Sequence, residues 1–133
     1  MLVTRIDKHR LMDEADRALL SRPGDRPNVE ELKGLLDVAD VVAPEGIDPD
    51  VVTMNSRVRL EDLESHEKSI LTVVYPGDTA PDAGKVSVLS PIGMAVLGRR
   101  AGDVIQRRVP AGVRRLKLLK VLYQPEAAGE RAS

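Results

Sequence analysis

The sequence predicts an α+β protein in which an N-terminal pair of antiparallel helices precedes a small mixed β domain with one short helix. Up to residue 43, apolar residues recur at helical spacing on both sides of a turn rich in Pro and Gly. From residue 51 onward, short β-branched segments separated by Gly and Pro predict strands. Residues 1–50 carry 7 Lys or Arg and 12 Asp or Glu, a net charge of −5, whereas residues 51–133 carry 13 and 9, a net charge of +4. This contrast indicates two units with different surfaces.

The helical hairpin is predicted over residues 1–43. Thr4 precedes the first apolar stripe and predicts an N-cap, because its hydroxyl can accept a hydrogen bond from a free backbone N–H near Asp7. The segment 22–27, Arg-Pro-Gly-Asp-Arg-Pro, predicts the turn. Asn28 and Glu31 predict a capping box for the second helix. Helices of about 12–16 residues would give a hairpin roughly 18–24 Å long.

The rest of the chain divides into a linker, a β domain and a tail. Residues 44–50 combine Pro, Gly and acids and predict a linker, and polar residues 124–133 predict a flexible tail. Within 51–123, strands are predicted at 56–60, 70–75, 85–89, 104–109 and 116–123. A short helix is predicted from Pro91 to about Leu97, capped by the Ser90 hydroxyl and ended by Gly98.

Composition excludes several kinds of site. The chain has no Cys, which excludes disulfides, thiolate zinc sites and cysteine nucleophiles. It has two Tyr, no Phe and no Trp, which argues against pockets lined with aromatic rings. No apolar run approaches the roughly 18 residues of a membrane span, and the N-terminus shows no signal-peptide pattern, so we expect a cytoplasmic protein.

Two acidic groups and three arginine pairs are the strongest candidates for a binding site. The acidic groups are Asp13, Glu14 and Asp16 on the first helix and Asp25, Glu30 and Glu31 near the hairpin turn. They could hold a divalent cation, but solvated helix faces and helix-dipole partners explain them more simply. The arginine pairs Arg99–Arg100, Arg107–Arg108 and Arg114–Arg115 could form a basic patch for an acidic partner or nucleic acid, or could only solvate the surface. Nothing assembles into an active site, and neither a metal, a cofactor nor an enzyme activity is expected.

Five segments of the β domain resemble the C-terminal domain of the bacterial Gre transcript-cleavage factors. They are residues 52–58 (Val-Thr-Met-Asn-Ser-Arg-Val), 88–98 (Val-Leu-Ser-Pro-Ile-Gly-Met-Ala-Val-Leu-Gly), 101–105, 109–112 and 121–123. Within that superfamily, residues 51–58, 74–76 and 122–129 are most similar to the Rnk-type regulators of nucleoside diphosphate kinase. The resemblance implies an FKBP-like fold for residues 51–123, preceded by an antiparallel coiled coil.

The resemblance also implies a partner and a docking surface. Gre factors dock their globular domain at the rim of the RNA polymerase secondary channel, and acids at the coiled-coil tip help to hold a catalytic Mg²⁺ there. The Gre docking surface corresponds here to Ser90 and Pro91, with Ile92 and Gly93 beside them. RNA polymerase is therefore the expected partner of a monomeric protein, and nucleic acid is expected to be contacted only indirectly, through the polymerase.

The hairpin departs from the Gre pattern. About 40 residues are available for it, so the tip would fall short of the polymerase active centre if docking is the same. The tip candidates Arg22, Asp25 and Arg26 also lack a clear pair of acids. We therefore expect a protein that does not stimulate transcript cleavage, competes with Gre factors, and affects nucleoside diphosphate kinase only indirectly.

Two other functions stay open at this point. FKBP-like folds include prolyl isomerases, although the missing Phe and Trp remove the usual pocket. Alternatively, the basic globular domain could be a general binding module for an acidic protein or nucleic acid.

Overall fold

The N-terminal third of the protein is a helical hairpin, as predicted. The computed structural model describes residues 1–21, 23–109 and 112–129. Helix α1 (Arg5–Ser21) and helix α2 (Arg26–Asp37) are joined through a short 3-10 turn at Pro23–Asp25. The two helices bury facing apolar stripes, which consist of Leu11, Ala15 and Ala18 on α1 and Val29, Leu32 and Leu36 on α2.

The sequence predicts the cap of the first helix correctly and the cap of the second helix incorrectly. The Thr4 cap is confirmed, because the backbone N–H of Asp7 donates to Thr4 Oγ1 over 3.0 Å. The capping box at Asn28 is wrong, since α2 already begins at Arg26 and Asn28 lies inside it. Pro27 explains the difference, because a proline is tolerated in the first helical turn, where its missing N–H has no intrahelical partner.

A two-stranded parallel sheet closes the base of the hairpin. Strand β1 (Leu2–Thr4) runs directly into α1, and strand β2 (Asp40–Val42) follows α2. Their register pairs Leu2 with Asp40 and Thr4 with Val42. The sequence reasoning missed both strands, because three residues are too few for an alternating pattern to be recognised.

The globular part is built on a mixed five-stranded sheet. Its strands are β3 (Arg57–Asp62), β4 (Lys68–Val74), β5 (Lys85–Ser87), β6 (Val104–Val109) and β7 (Gly112–Tyr123). They lie in the order β5-β4-β3-β7-β6, and only the β4–β5 pair is parallel. Helix α3 (Pro91–Val96) packs over the buried face of this sheet. The predicted fold class, a helical hairpin followed by a β domain with one short helix, is confirmed.

The hairpin and the sheet share one apolar core. The same cluster of buried residues contains Leu11 of α1, Leu36 of α2, Val58 of β3 and Met94 of α3. The hairpin is therefore not an arm attached through a free linker, because its base belongs to the core of the globular part.

The predicted linker and the start of the predicted tail are also packed. In segment 44–50, Ile47 is buried and Asp48 forms an ion pair of 2.7 Å with Arg100. Gln124 is only 4% exposed, and its Nε2 donates to the carbonyl oxygens of Asp48 and Val51 over 2.7 and 2.8 Å. Gln124 therefore holds the start of the predicted tail against the predicted linker, and residues 130–133 of that tail lie outside the described residues.

Candidate partner-docking site

Ser90 shapes the turn that leads into α3. Its Oγ accepts a hydrogen bond from the Gly93 N–H over 3.1 Å and donates one to the Ser87 carbonyl oxygen over 2.6 Å. Pro91 occupies the first helical turn, where its fixed φ suits the helix. The Ser90 side chain is thus committed to the local backbone, which confirms the predicted cap.

Gly93 allows the same turn to close. A Cβ at this position would overlap the Ser87 carbonyl oxygen, a contact that no side chain can make. Gly93 is itself buried, whereas Pro91 is exposed and Ile92 is partly exposed. Of the four predicted docking residues, Pro91 is therefore exposed, Ser90 and Ile92 are partly exposed, and Gly93 is buried, while Ser90 and Gly93 also hold the turn in shape.

A cleft of about 430 Å³ separates this turn from the hairpin. Its walls include Asn28, Glu31 and Leu35 of α2 and Pro91, Met94 and Ala95 of α3. The side of the hairpin and the turn thus border one continuous concave surface, so a partner that contacts Pro91 would also meet α2.

The hairpin tip contains no convergent acidic site in the part of it that the structure describes. Asp25 is the N-cap residue of α2 by position, but its side chain makes no capping hydrogen bond. Arg26 forms an ion pair with Glu30 over 3.2 Å, so the Glu30 carboxylate is already engaged on the surface of α2. Arg22, the third predicted tip residue, lies outside the described residues. Leu20, which the sequence reasoning did not single out, is 89% exposed beside the turn.

Metal ligation has no candidate in the described residues. Among them, no group of three or more His, Asp or Glu side chains comes together closely enough to hold an ion. On α1 and α2, Asp16 instead pairs with Lys33 over 2.9 Å and Glu14 with Arg17 over 3.2 Å. Asp16 and Glu14 are therefore engaged in ion pairs on the hairpin surface.

Asp7 fixes the base of the hairpin to the globular part. Its carboxylate oxygen Oδ2 accepts a hydrogen bond from the backbone N–H of Met54 over 3.1 Å, and the residue is 1% exposed. Burial raises the pKa of Asp7 to about 6, although the Met54 hydrogen bond opposes this rise. The negative charge of nearby Glu126 adds to the increase in pKa, and the Arg10 guanidinium lowers it.

A second contact supports the same junction. The Arg10 guanidinium lies 4.5 Å from the centre of the Tyr75 ring, a cation–π geometry. Tyr75 is buried at the end of β4, and burial raises the pKa of its hydroxyl. The sequence carries no signal for this junction, because Asp7 fits a helix start, Tyr75 fits the end of a strand, and neither pattern reports a contact between distant segments.

Comparison with known proteins places this architecture in a family. Residues 47–123 match the family model described as "Transcription elongation factor, GreA/GreB, C-term", and the match covers more than half of the chain. The chain belongs to the GreA/GreB family. The matched region begins at Ile47, in agreement with the packing of the linker onto the sheet.

Curated relatives extend the similarity into the hairpin. The chain is 43% identical over 105 residues to the regulator of nucleoside diphosphate kinase of Escherichia coli strain K12, which covers 78% of this chain and 77% of that protein. It is 33% identical over 108 residues to transcription elongation factor GreA of Clostridioides difficile strain 630, covering 81% and 68% respectively. The predicted resemblance to Rnk-type members of the GreA/GreB family is therefore confirmed.

A solved GreA/GreB structure supports the arrangement of the whole chain. The prokaryotic transcription elongation factor GreA/GreB from Nitrosomonas europaea superposes with a TM-score of 0.77 at 37% identity, covering 92% of this chain and 99% of that one. Hairpin and sheet domain are thus shared features of these two GreA/GreB proteins. None of the helices in the described residues is long and apolar enough to cross a membrane.

Proposed function

We propose that the protein is a monomeric transcription regulator that binds bacterial RNA polymerase at the rim of the secondary channel. The turn Ser90–Gly93 makes the contact, through Pro91 and Ile92. Membership of the GreA/GreB family and the similarity to named transcription elongation factors support this proposal. The exposure of Pro91 above a rigid, capped turn supports the choice of contact surface, because a rigid surface loses little entropy on binding.

We further propose that the protein does not stimulate transcript cleavage and that it competes with cleavage-stimulating Gre factors. The observation that carries this step is the short hairpin, which is held at its base. Helix α1 has 17 residues and therefore extends about 25 Å, and α2 has 12 residues and extends about 18 Å. Asp7 and the shared core fix the base of the hairpin to the globular part. The hairpin therefore cannot move outward from the globular part to bring its tip closer to the polymerase active centre.

The composition of the tip supports the same conclusion. In the described part of the tip, Arg26 is already paired with Glu30, and no group of three or more acidic or histidine side chains comes together that could hold a Mg²⁺. An effect on nucleoside diphosphate kinase would then be indirect, through altered transcription of its gene.

A binding titration with a matched pair of variants tests the docking surface. Pro91→Glu places a charge on the exposed turn, at a helix N-terminus that favours a negative side chain, so the fold is retained. Pro81→Glu is the control, because Pro81 is likewise exposed and begins a short 3-10 turn, Pro81–Ala83. Labelled protein would be titrated with core RNA polymerase and followed by fluorescence anisotropy.

We expect saturable binding of the parent protein and of Pro81→Glu, and at least tenfold weaker binding of Pro91→Glu. Equal binding by both variants would show that the Ser90–Gly93 turn is not the contact. Absence of binding by the parent protein at micromolar polymerase would refute the proposed partner.

A further inference from the structure

The outer face of the five-stranded sheet, turned away from the core, carries a cluster of exposed cations. They are Arg57, Arg59, Lys68, Lys85, Lys117 and Lys120, and together they are called the basic face below. The strand register brings them into neighbouring rows: Arg57 and Lys85 both flank Thr72, and Arg59 lies directly opposite Lys120. The acid in these rows is Glu61, whose backbone lies opposite Lys68 on β4 and Lys117 on β7.

The side chains of the basic face make no ion pair or hydrogen bond with any other side chain that the structure describes. The neighbouring arginines differ, since Arg114 pairs with Asp62 over 2.6 Å and Arg115 with Glu64 over 3.3 Å. Like charges directly opposite each other, such as Arg59 and Lys120, destabilise a sheet. The fold thus retains an uncompensated positive surface at a cost in stability, which points to an anionic partner.

One end of the basic face deepens into a cleft of about 340 Å³. Its walls are formed by polar or charged residues, by Tyr123 and by the apolar Val74; the polar and charged ones are Asn55, Arg57, Thr72, Asp78 and Lys85. The two cations, the Thr72 hydroxyl and the Asn55 amide offer charged and neutral donors to the same volume, with Asp78 as the acid among them. Mixed donors of this kind are those that contact phosphate oxygens in nucleic-acid complexes.

The dimensions of the basic face suit a polymer better than a single small anion. Four neighbouring strands about 4.8 Å apart span roughly 14 Å, and alternate residues along a strand are separated by about 6.7 Å. The cations are therefore distributed over an area that several successive phosphates can contact at once.

The chemistry of the basic face favours nucleic acid over an acidic protein. Stable protein interfaces centre on buried apolar and aromatic residues. The large apolar side chains exposed beside these cations are instead two aliphatic ones, Ile70 at 50% and Val104, opposite Lys117, at 48%. Tyr123 is the aromatic residue of the cleft, so stacking cannot read successive bases. We propose that the basic face binds the phosphate backbone of nucleic acid without selecting a base sequence. Because α3 packs on the opposite side of the sheet, this proposal stands apart from the polymerase contact at the Ser90–Gly93 turn.

The test compares two double variants that remove the same formal charge from the full-length protein. Arg59→Gln with Lys120→Gln neutralises the centre of the basic face, and Arg114→Gln with Arg115→Gln neutralises the ion-paired arginines on β7. Binding of a labelled 20-nucleotide single-stranded RNA and of a duplex DNA of equal length would be measured by anisotropy between about 25 and 200 mM salt.

We expect binding of both probes that weakens with salt, little dependence on their sequence, and a loss of at least tenfold at low salt for Arg59→Gln with Lys120→Gln. The slope of log affinity against log salt should fall by roughly 1.5 for that variant, as expected for two lost phosphate contacts. The paired-arginine variant should lose less than threefold.

Three results would overturn the proposal. The first is no binding of either probe at about 100 μM protein and low salt. The second is equal loss in both variants, which would mean that affinity follows net charge alone. The third is competition by polyglutamate as effective as that by RNA, which would assign the basic face to acidic proteins. Removal of a like-charge pair does not threaten folding, and far-UV circular dichroism would verify that both variants are folded.

Discussion

The Asp7 contact predicts an unusual dependence of stability on pH. Burial raises the pKa of this carboxyl from 3.8 to about 6, so the folded protein binds a proton that the unfolded chain releases between these two values. The free energy of unfolding contributed by Asp7 is therefore fully present below pH 3.8 and is lost as the pH rises through about 6. The difference between the two pKa values corresponds to about 3 kcal/mol, which is an upper bound for the effect of this one group.

Replacement of Asp7 by Asn isolates that contribution. The amide oxygen can still accept from the Met54 N–H, but it carries no charge to be desolvated. We expect Asp7→Asn to be more stable than the parent protein by up to about 3 kcal/mol at pH 7.5, and the difference to vanish below about pH 4. Asp13→Asn on the exposed side of the same helix is the control and should follow the parent curve.

The assay is urea unfolding followed by far-UV circular dichroism at pH 4, 5, 6 and 7.5, because the chain has no Trp to report by fluorescence. An Asp7→Asn variant no more stable than the parent at pH 7.5, with a parallel pH profile, would refute the reasoning. In that case the Asp7 carboxylate would be a net stabilising anchor and not a desolvated group.

Two further predictions concern stability away from Asp7, and urea unfolding at pH 7.5 measures both. Gly93→Ala should destabilise the protein by more than about 2 kcal/mol, because the new Cβ would overlap a backbone carbonyl. In Gly34→Ala, inside α2, the new Cβ meets no atom within 4 Å, so this variant should be more stable by roughly 0.5–1 kcal/mol. Equal effects of the two alanines would contradict the geometry of the turn. Gln124→Ala should cost about 1–3 kcal/mol, because the buried Val51 carbonyl loses its donor and the Asp48 carbonyl loses one of its two donors. Gln106→Ala, at an exposed position, should be neutral. A neutral Gln124→Ala would indicate that the chain after residue 123 is not anchored.

Local sequence signals were sufficient for the elements that local chemistry determines. The caps at Thr4 and Ser90 depend on neighbours within a few residues, and both are where the sequence predicts them. The capping box at Asn28 failed for an equally local reason, since Pro27 competes for the first helical turn and moves the start of α2 to Arg26.

Contacts between distant segments could not be predicted in this way. The Asp7–Met54 hydrogen bond joins residues 47 positions apart, and the Gln124 anchor joins residues more than 70 apart. The parallel β1–β2 pair likewise depends on the hairpin bringing its two ends together. A periodic pattern within a short stretch of sequence carries no information on which distant residues come into contact.

The basic surface shows the same limit of sequence reasoning. The arginine pairs were the visible signal, but Arg100 and Arg114 are neutralised by acids about 50 residues away. The unpaired cations, such as Arg59 and Lys120, are separated in sequence and become neighbours only through strand register. A basic surface could be predicted from net charge, but its position could not.

The most direct test of the central claim is a transcript-cleavage assay on backtracked RNA polymerase complexes, with the protein alone and in competition with a cleavage-stimulating Gre factor. A short hairpin fixed at its base predicts no cleavage by the protein alone and a dose-dependent inhibition of Gre-stimulated cleavage. Pro91→Glu should inhibit at least tenfold less effectively, and Pro81→Glu should inhibit like the parent. Cleavage stimulated by the purified protein alone, or Gre-stimulated cleavage unaffected by an excess of it, would contradict the account.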